Sequence, residues 1–333
     1  MLSQRFRTKM KSRKVLITGG TGSLGRALIR RIKSLGWQII VYSRDEGKQA
    51  LYFGRDKDII RVVGDVRDLD KLSTTFRIHK PDYVIHAAAL KRVDDMEFHP
   101  DECVKTNVIG SQNVATAALK TDVKKCILIS TDKACQPVNV YGSSKFIAER
   151  VFTNFDFYSD NTVFASVRYG NVIASRGSFI PLWMDLIKSK KTVPVTDLKC
   201  SRFLFTLDDA VDTVLGALEI SQGGEVFIPK IKSYNLQTVL TSLQKLCNVN
   251  EIDYDIVNMR PGEKIHEDML AMTELDFTYE VAEKLLAVLP QYTRRTHTHS
   301  TKYTGPHFNS SLHLSDDIEE LAQLIRVGTE DKK

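Results

Sequence analysis

Two short motifs near the middle of the chain contain residue types that could perform acid–base chemistry. Tyr141 and Lys145 form a Y-x-x-x-K pattern, which places both side chains on one face of a helix. A lysine ammonium beside a phenol favours the phenolate, so we expect Lys145 to bring the pKa of Tyr141 from about 10 towards neutrality. Tyr141 could then remove the proton from the hydroxyl of an alcohol or a sugar.

A second acid–base pair precedes this tyrosine, in the run S-T-D-K at residues 130–133. Thr131 could hydrogen-bond the same oxygen that Tyr141 deprotonates, whereas Asp132 and Lys133 add an acid and a base that oxidation of a plain alcohol does not need. The structural alternative is an ion pair on the surface at the end of a strand. The expected position at the carboxyl edge of a parallel sheet favours the catalytic interpretation.

The elements that must position these motifs alternate between short strands and longer helices. The expected strands are near-continuous apolar runs, as in strands buried on both faces: Val15–Thr18, Ile39–Tyr42, Ile60–Val63, Tyr83–His86, Cys126–Ser130 and Val163–Arg168. Helices are expected at Leu24–Ser34, Asp101–Leu119 and Tyr141–Phe155. This order predicts an α/β fold with a Rossmann-like, doubly wound parallel sheet.

The second half of the chain has a different pattern. After about residue 170 strands become sparse, and helices are expected at Phe179–Lys188, Leu207–Ile220 and Leu236–Cys247. We therefore predict a smaller, mostly helical C-terminal substrate lobe. The predicted division is a basic N-terminal extension at 1–13, an NADP-binding Rossmann domain at 14–169, and a nucleotide-sugar-binding lobe with a C-terminal tail at 170–333.

The evidence for a dinucleotide begins with three glycines between the first strand and the first helix. Gly19, Gly22 and Gly25 are spaced three residues apart. In dinucleotide-binding sites the first glycine permits a tight turn, the second lets backbone N–H groups approach a pyrophosphate, and the third lets the helix pack on the sheet. A purely structural turn is the alternative, but the strand–turn–helix context favours cofactor binding.

The end of the second strand indicates which dinucleotide binds. An acidic residue there would hold a ribose 2′-hydroxyl, whereas an arginine suits a 2′-phosphate. Ser43 and Arg44 come first and Asp45 follows, which favours NADP over NAD. The sheet order further predicts that residues after the third and fourth strands line the cofactor groove: Asp65, Val66, Ala87, Ala88 and Ala89.

Composition and charge exclude several classes of protein. The 333 residues are 42% hydrophobic and 26% charged, as in soluble globular proteins, and no apolar run approaches the length of about 18 residues that suggests a membrane-spanning helix. The net charge of +6 comes from residues 1–14, which carry six basic and no acidic residues, so we expect no nucleic-acid partner for the neutral remainder. Five scattered cysteines without a C-x-x-C predict reduced thiols in the cytoplasm.

Several longer motifs resemble those of one enzyme family. They are TGGTGSLG, YSRDEGKQ, GDVRD, HAAALKRVDDMEFHPDECVKTNVIGSQNV, STDKACQPVNVYGSSK, VRYGNVIASRGSFIP and MRPGEKIHE. They resemble the inverting UDP-N-acetylglucosamine 4,6-dehydratases, which belong to the extended short-chain dehydrogenase/reductase superfamily and act in polysaccharide and glycan biosynthesis. The resemblance spans about residues 14–267, and its most specific part is D-K followed by Y-G-x-x-K.

The resemblance implies a redox-neutral reaction with NADP bound throughout. Tyr141, with Thr131 and Lys145, would take the proton of the C4 hydroxyl as hydride leaves for NADP. Lys133 would remove the C5 proton, and Asp132 would protonate the C6 hydroxyl that departs as water. Return of the hydride to C6 and reprotonation of C5 from the opposite face would give a UDP-4-keto-6-deoxy-hexosamine.

The motifs and the resemblance together assign the binding residues. The cofactor set is Gly19, Thr21, Gly22, Ser23, Leu24, Gly25, Ser43, Arg44, Asp45, Lys48, Asp65, Val66, Ala87, Ala88, Ala89, Lys91, Asn107, Tyr141, Lys145 and Val172. The substrate set, which the resemblance implies, is Lys91, Asn171, Thr196, Arg202, Arg260 and Glu263. No metal is expected, because His297, His299 and His307 lie in a polar segment that is typical of a solvated loop. The resemblance also implies a homo-oligomer, a dimer or a hexamer. The lack of a long apolar run predicts no insertion into a membrane.

Two other interpretations stay open. One is a different nucleotide-sugar enzyme on the same scaffold, either a 4-epimerase or a retaining 4,6-dehydratase. An epimerase has no use for an acid at C6, and retaining dehydratases characteristically carry Glu where Lys133 stands. The other is a non-catalytic NADP-binding sensor, which would not need the set of acid–base residues at 131–145.

Overall fold

A computed structural model describes residues 13–173, 175, 177–299 and 301–330. The predicted basic extension therefore lies, except for Arg13, outside the described residues. The strands are β1 (Lys14–Thr18), β2 (Gln38–Ser43), β3 (Ile59–Val63), β4 (Tyr83–His86), β5 (Lys125–Ile129), β6 (Val163–Val167), β7 (Asn171–Val172), β8 (Val193–Val195), β9 (Ser201–Phe205), β10 (Val226–Pro229), β11 (Ser233–Asn235), β12 (Tyr254–Ile256), β13 (Asp268–Leu270), β14 (Thr278–Ala282), β15 (Leu285–Val288), β16 (Thr301–Lys302) and β17 (Phe308–Asn309).

Helices connect most of these strands. The α-helices are α1 (Ser23–Lys33), α2 (Glu46–Phe53), α3 (Leu69–His79), α4 (Val93–Phe98), α5 (Pro100–Cys103), α6 (Gly110–Leu119), α7 (Val140–Tyr158), α8 (Phe179–Lys188), α9 (Leu207–Ile220), α10 (Leu236–Cys247) and α11 (Ile318–Glu330). The helix expected at Asp101–Leu119 is interrupted by a π-helical segment at Val104–Ile109. Single-turn π segments are frequent at functional sites, because the wider turn redirects side chains.

The main sheet has the order β16-β14-β15-β10-β6-β5-β4-β1-β2-β3. The strands from β3 to β10 run parallel, and β15, β14 and β16 continue the sheet in antiparallel pairs. All six strands predicted from the first half are present to within one residue at each end. The predicted Rossmann-like, doubly wound sheet is confirmed.

The core lies on both faces of this sheet because its central strands are apolar throughout. Successive residues of a strand point to opposite faces, so Val15 and Ile17 enter one cluster and Leu16 enters the other. Helices α1 and α9 cover the first face, whereas α3, α6 and α7 cover the second. This arrangement leaves the carboxyl ends of the parallel strands open at one edge.

The second half contains more strands than the sequence analysis predicts. Its helices α8, α9 and α10 have the predicted bounds, but β10, β14, β15 and β16 join the main sheet instead of forming a separate lobe. The remaining strands form a three-stranded sheet (β11-β9-β7) and two pairs, β12 with β8 and β13 with β17. Several of these strands have two or three residues, which is too short for a hydrophobic alternation to be visible in the sequence.

Candidate active site

An open cleft of about 1010 Å³ lies at the carboxyl edge of the parallel strands. Its walls come from both halves of the chain. It brings together all the predicted site residues except Asn107: Gly19, Thr21, Gly22, Ser23, Leu24, Gly25, Ser43, Arg44, Asp45, Lys48, Asp65, Val66, Ala87, Ala88, Ala89, Lys91, Thr131, Asp132, Lys133, Tyr141, Lys145, Asn171, Val172, Thr196, Arg202, Arg260 and Glu263.

The glycine turn between β1 and α1 forms one end of the cleft. Gly19 has a φ of +70°, and a Cβ there would lie 2.8 Å from the backbone nitrogen of Ala88. A Cβ on Gly25 would lie 2.6 Å from the Cα of Gly20, so helix α1 packs directly against the turn. Helix α1 begins at Ser23 with no side-chain cap on its first N–H groups. These N–H groups and the helix dipole provide a site for a diphosphate.

The residues after β2 have defined partners. The Asp45 carboxylate caps helix α2 by accepting a hydrogen bond from the Lys48 backbone nitrogen at 2.8 Å, and it also pairs with the Lys48 ammonium. Gln49 donates to the Ser43 hydroxyl at 2.9 Å. The side chain of Arg44 is 56% exposed and its guanidinium lies 3.8 Å from Asp65. The basic groups of Arg44 and Lys48 thus lie at the end of β2, whereas the Asp45 carboxylate is engaged in capping helix α2.

Asn107 does not line the cleft. Its side chain is fully buried in the π-helical segment, where its oxygen accepts from the Leu90 backbone nitrogen at 2.8 Å and its amide donates to the Leu90 carbonyl at 2.9 Å. The same amide nitrogen lies 2.9 Å from the Ser144 hydroxyl. Asn107 therefore fixes the loop after β4 against helix α7, and its neighbour Thr106 lines the cleft instead.

The S-T-D-K run forms a compact acid–base group after β5. The Thr131 hydroxyl donates to Asp132 Oδ1 at 2.8 Å, and Lys133 Nζ lies 3.1 Å from the same oxygen. Asp132 is 1% exposed. Its other oxygen, Oδ2, is buried and has no hydrogen-bond partner within the described part of the chain. Burial raises the pKa of Asp132, and the neighbouring carboxylate of Glu267 raises it further. The pKa of Lys133 is also raised, because two carboxylates outweigh its burial.

The expected effect of Lys145 on Tyr141 is not what the structure shows. Burial raises the pKa of Tyr141 to about 12, and this rise is opposed by the Lys133 ammonium and by a hydrogen bond between Tyr141 and Thr131. Burial lowers the pKa of Lys145 to about 8, although Glu149 opposes the shift. The prediction was wrong in direction because desolvation of the phenol outweighs the attraction of nearby cations.

A buried ion network connects helix α7 to the C-terminal half. Arg168 is 1% exposed and donates to Glu149 at 2.7 Å and to Glu274 at 2.8 Å. Glu149 also accepts from the hydroxyl of Ser130 at 2.5 Å. The network therefore holds the end of β5 and the helix that carries Tyr141 and Lys145 against the segment around Glu274.

The substrate set lies on the opposite wall. Arg202 is 6% exposed and donates to Glu263 at 2.8 Å, while Thr196 donates to the same carboxylate at 3.5 Å. Arg260 reaches across the cleft to Asp94 on helix α4, at 2.7 Å. The Asn171 side-chain oxygen is buried with no hydrogen-bond partner among the residues described.

Asn139 joins this wall to the catalytic helix. Its side-chain oxygen accepts from the Gly142 backbone nitrogen at 2.7 Å and so caps helix α7. Its amide donates to the Gly262 carbonyl at 2.8 Å. The loop that carries Arg260 is therefore fixed to the start of the helix that carries Tyr141.

Sequence reasoning missed two residues of the site. Glu267 is 2% exposed, and its carboxylate lies 3.1 Å from Lys133 Nζ. Thr106 is buried, lines the cleft and has an unpartnered hydroxyl within the described residues. The motif that ends at Glu267 was visible, but nothing local indicated that this residue meets Lys133.

The histidines of the polar segment have protein partners. His297 Nε2 donates to the Gly223 carbonyl at 2.7 Å, and His299 Nε2 lies 3.5 Å from Glu225. Among the residues that the structure describes, no group of three or more His, Cys, Asp or Glu side chains could hold a metal ion. None of the described helices is both long and apolar enough to cross a bilayer.

The sheet, the glycine turn and the Tyr–Lys helix define an extended short-chain dehydrogenase/reductase. A family model described as "Polysaccharide biosynthesis protein" matches residues 15–288, and the chain belongs to that family. It is 42% identical to the "UDP-N-acetylglucosamine 4,6-dehydratase (inverting)" of Campylobacter jejuni subsp. jejuni serotype O:23/36 (strain 81-176), over 83% of this chain and 82% of that protein. This confirms the resemblance found in the sequence.

Two further relatives extend the comparison. The "UDP-glucose 4-epimerase" of Rickettsia bellii (strain OSU 85-389) is 39% identical, over 78% of each chain. The X-ray structure of Pen from Bacillus thuringiensis is 33% identical, with a TM-score of 0.87 that covers 95% of this chain and 99% of that one. The family thus includes relatives named for dehydration and for epimerisation, and the residues of the site must distinguish the two reactions.

Proposed function

We propose that the protein catalyses the NADP-dependent dehydration of UDP-N-acetylglucosamine to a UDP-4-keto-6-deoxy-hexosamine, with inversion at C5. One observation carries this proposal: the partly exposed Lys133 and the buried Asp132 form an acid–base pair, 3.1 Å apart, in the same cleft as Tyr141. Tyr141 alone would suffice for oxidation at C4. The second pair is what an elimination across C5 and C6 requires.

The residues of the cleft suit a nicotinamide dinucleotide. Gly19 and Gly25 leave no room for a Cβ against the neighbouring backbone, which gives the tight turn of a dinucleotide site, and the uncapped N–H groups of α1 match a diphosphate. Arg44 and Lys48 favour the additional phosphate of NADP over NAD, because the Asp45 carboxylate already caps α2. Replacing Arg44 with Ala should weaken NADP binding and leave NAD binding almost unchanged.

The mechanism assigns one role to each side chain. When bound, the nicotinamide supplies hydride acceptance from C4 and hydride return to C6. Tyr141 removes the C4 hydroxyl proton while Lys145 provides a positive charge on the same helix, and Thr131 orients the sugar oxygen. Lys133 then takes the C5 proton, which the C4 ketone has made acidic. Asp132 gives its proton to the C6 hydroxyl, which leaves as water.

Protonation of Asp132 before this step agrees with its environment. The carboxyl is buried, and Oδ2 has no partner within the described residues, so the neutral acid costs less than the carboxylate there. Lys133 must reach its neutral form, and the Asp132 carboxyl, whose Oδ1 lies 3.1 Å from Nζ, is close enough to take its proton. The pair therefore titrates as a unit, and its reactive form has the proton on the acid.

The substrate would lie towards residues 170–333, where Asn171, Thr196, Arg202, Arg260 and Glu263 line the cleft with Lys91 from the first half. Arginines suit the diphosphate because they donate two parallel hydrogen bonds.

We further propose that the protein forms a homo-oligomer, a dimer or a hexamer, and that it lies in the cytoplasm. All five cysteines are free, which is typical of a reducing compartment. Light scattering of the purified chain tests the assembly.

The reaction is tested by incubating the purified protein with UDP-N-acetylglucosamine in D₂O. We expect the product to have lost one water, to carry one deuterium at C5, and to show inverted configuration there by NMR. Replacing Lys133 with Ala should lower the rate by about 10²- to 10⁴-fold, the usual contribution of a general base. The exposed Lys105, which pairs with Asp101 and Glu102, provides a control substitution with no contact to the cleft.

The alternatives give different products in the same experiment. A sugar that keeps its water and is inverted at C4 would indicate a 4-epimerase, the reaction named for the Rickettsia relative. Loss of water with retention at C5 would indicate a retaining dehydratase. NADP binding without conversion of any UDP-hexose, unaffected by Lys133→Ala, would indicate a sensor.

A further inference from the structure

Lys133 lies between two carboxylates, only one of which belongs to its own motif. Its Nζ is 3.1 Å from Asp132 Oδ1 on one side and 3.1 Å from Glu267 Oε1 on the other. Glu267 is 2% exposed, and it is separated from Lys133 by most of the second half of the chain. A lysine ammonium with acceptors on two sides loses the rotational freedom of its long side chain, so its position in the cleft is fixed.

The backbone holds Glu267 in this position. Its backbone nitrogen donates to the Ser310 hydroxyl at 2.8 Å, and its carbonyl accepts from the Ser310 backbone nitrogen at 2.8 Å. These two hydrogen bonds fix the backbone at Glu267. Strand β13 begins at the next residue and pairs with β17. The second carboxylate oxygen, Oε2, is buried and has no hydrogen-bond partner within the described ranges. A buried carboxylate with an unsatisfied oxygen costs stability.

The charges around the group differ between its two carboxylates. Arg202 and Lys264 face Glu267, and together with Lys133 they hold its pKa below the usual range despite burial. The cation next to Asp132 is Lys133, which lowers the pKa of Asp132. Burial and the negative charge of Glu267 raise it, and the net shift is upwards. Arg202 also faces Lys133, and its positive charge opposes the rise in the pKa of Lys133. Thr131 and Tyr141, which lie in the same cleft, are neutral. The site therefore has one carboxylate that remains ionised and one that takes up a proton.

We propose that Glu267 is a positioning residue for the elimination: it fixes the Lys133 amine beside Asp132 and stays ionised, so that it stabilises the ammonium that forms when Lys133 takes the C5 proton. This inference rests on the proposed function. The protons balance, since one moves from C5 to Lys133 Nζ and one moves from the Asp132 carboxyl to the departing hydroxyl. Glu267 is negatively charged before and after the step, and the ion pair of Lys133 with Asp132 is what the elimination leaves behind.

The kinetic test replaces Glu267 with Gln, which keeps the size of the side chain and one acceptor oxygen but removes the charge. Asp268→Asn is the matched control, because the adjacent Asp268 pairs with Lys264 and Asn309 instead of Lys133. We expect Glu267→Gln to lower kcat by about 10- to 100-fold, less than the loss of a general base. KM should change less than kcat, because the charge that is removed acts on Lys133 at 3.1 Å, whose role is in the elimination step.

The position of the block separates positioning from general damage. Glu267 pairs with Lys133 and not with Tyr141 or Lys145, so the first oxidation should still occur and reduced cofactor should accumulate in the variant when substrate is added. A loss of kcat without the absorbance of accumulated reduced cofactor would overturn the inference, since it would mean that the whole site is disturbed. Glu267→Asp, which keeps the charge on a shorter side chain, should recover part of the rate.

A second measurement requires no turnover. Lys133 is acylated at a series of pH values and the modified peptide is quantified by mass spectrometry. Removing a carboxylate at 3.1 Å should lower the pH of half-maximal modification by about 1–3 units in Glu267→Gln, with no shift in Asp268→Asn. An unchanged midpoint together with wild-type kcat overturns the role of Glu267. A wild-type protein that leaves UDP-N-acetylglucosamine unchanged overturns the proposed function instead, and the midpoint then still decides whether Glu267 controls Lys133.

Discussion

Three glycine-to-alanine substitutions separate the cost of a left-handed backbone conformation from the cost of steric contact in the cofactor turn. Gly19 and Gly36 both have positive φ, +70° and +75°. They differ in their surroundings: a Cβ on Gly19 would meet the backbone of Ala87 and Ala88 at 2.8–2.9 Å, whereas a Cβ on Gly36 would have nothing within 4 Å. Gly25 provides the opposite case, since its φ is ordinary but its Cβ would lie 2.6 Å from the Cα of Gly20.

These contacts set the expected losses of stability. An alanine in the left-handed region costs about 1–2 kcal/mol, which is the whole penalty for Gly36→Ala. A methyl group forced against backbone atoms adds about 1–3 kcal/mol, because backbone cannot rotate away as a side chain can. We therefore expect Gly19→Ala to lose about 2–5 kcal/mol and Gly25→Ala about 1–3 kcal/mol.

Thermal unfolding and NADP titration together test this reasoning. About 1 kcal/mol corresponds to about 2–4 °C in a chain of some 150–250 residues and to less in one of 333 residues, so the Tm of Gly19→Ala should lie a few degrees below that of Gly36→Ala. NADP affinity should fall in Gly19→Ala and Gly25→Ala and stay unchanged in Gly36→Ala. Equal Tm values and equal affinities for Gly19→Ala and Gly36→Ala would refute the close approach of the turn to the end of β4.

Three further predictions concern the rest of the cleft. The Lys145 ammonium is present below its pKa of about 8 and lost above it, so the rate at which reduced cofactor forms in a single turnover should fall above that pH. Lys145→Arg should move this fall to higher pH, and a rate that stays constant to pH 10 would contradict the prediction. Arg168→Met should destabilise the fold by about 3–5 kcal/mol in denaturant unfolding, because it leaves Glu149 buried without its cation, and adding Glu149→Gln should restore part of the loss. Asp94→Asn should lower KM for the UDP-sugar by about two- to fivefold at low salt by freeing Arg260, and the effect should vanish at high salt; an unchanged KM at low salt would show that this pair does not compete with the substrate.

The local patterns of the sequence were sufficient for the first half of the fold. Apolar runs predicted β1 to β6, and the spacing of Gly19, Gly22 and Gly25 predicted the turn that joins β1 to α1. The S-T-D-K run and the Tyr–Lys pair were placed correctly at the carboxyl edge of the sheet. Such patterns succeed because they encode backbone geometry within a few residues, and parallel strands bring their ends to one edge.

The strands of the second half could not be predicted from the sequence, for a physical reason. Its strands are short, and β10, β14, β15 and β16 are recognisable only by the sheet that they extend. Asn107 illustrates the same limit at a single residue. It lies in a segment that resembles a cofactor motif, but the π-helical turn directs it towards Leu90 and leaves Thr106 facing the cleft.

The identity of the acid–base groups and their places along the chain could thus be read from the residues alone. Their electrostatic state depends on the folded structure. Burial raised the pKa of Tyr141 where a neighbouring lysine alone would have lowered it, and it brought that of Lys145 to about 8. Glu267 meets Lys133 only because β13 packs beside the short turn at Asp132–Ala134 that follows β5. Desolvation and ion pairing depend on which distant segments close over a group, and no local pattern of residues contains that information.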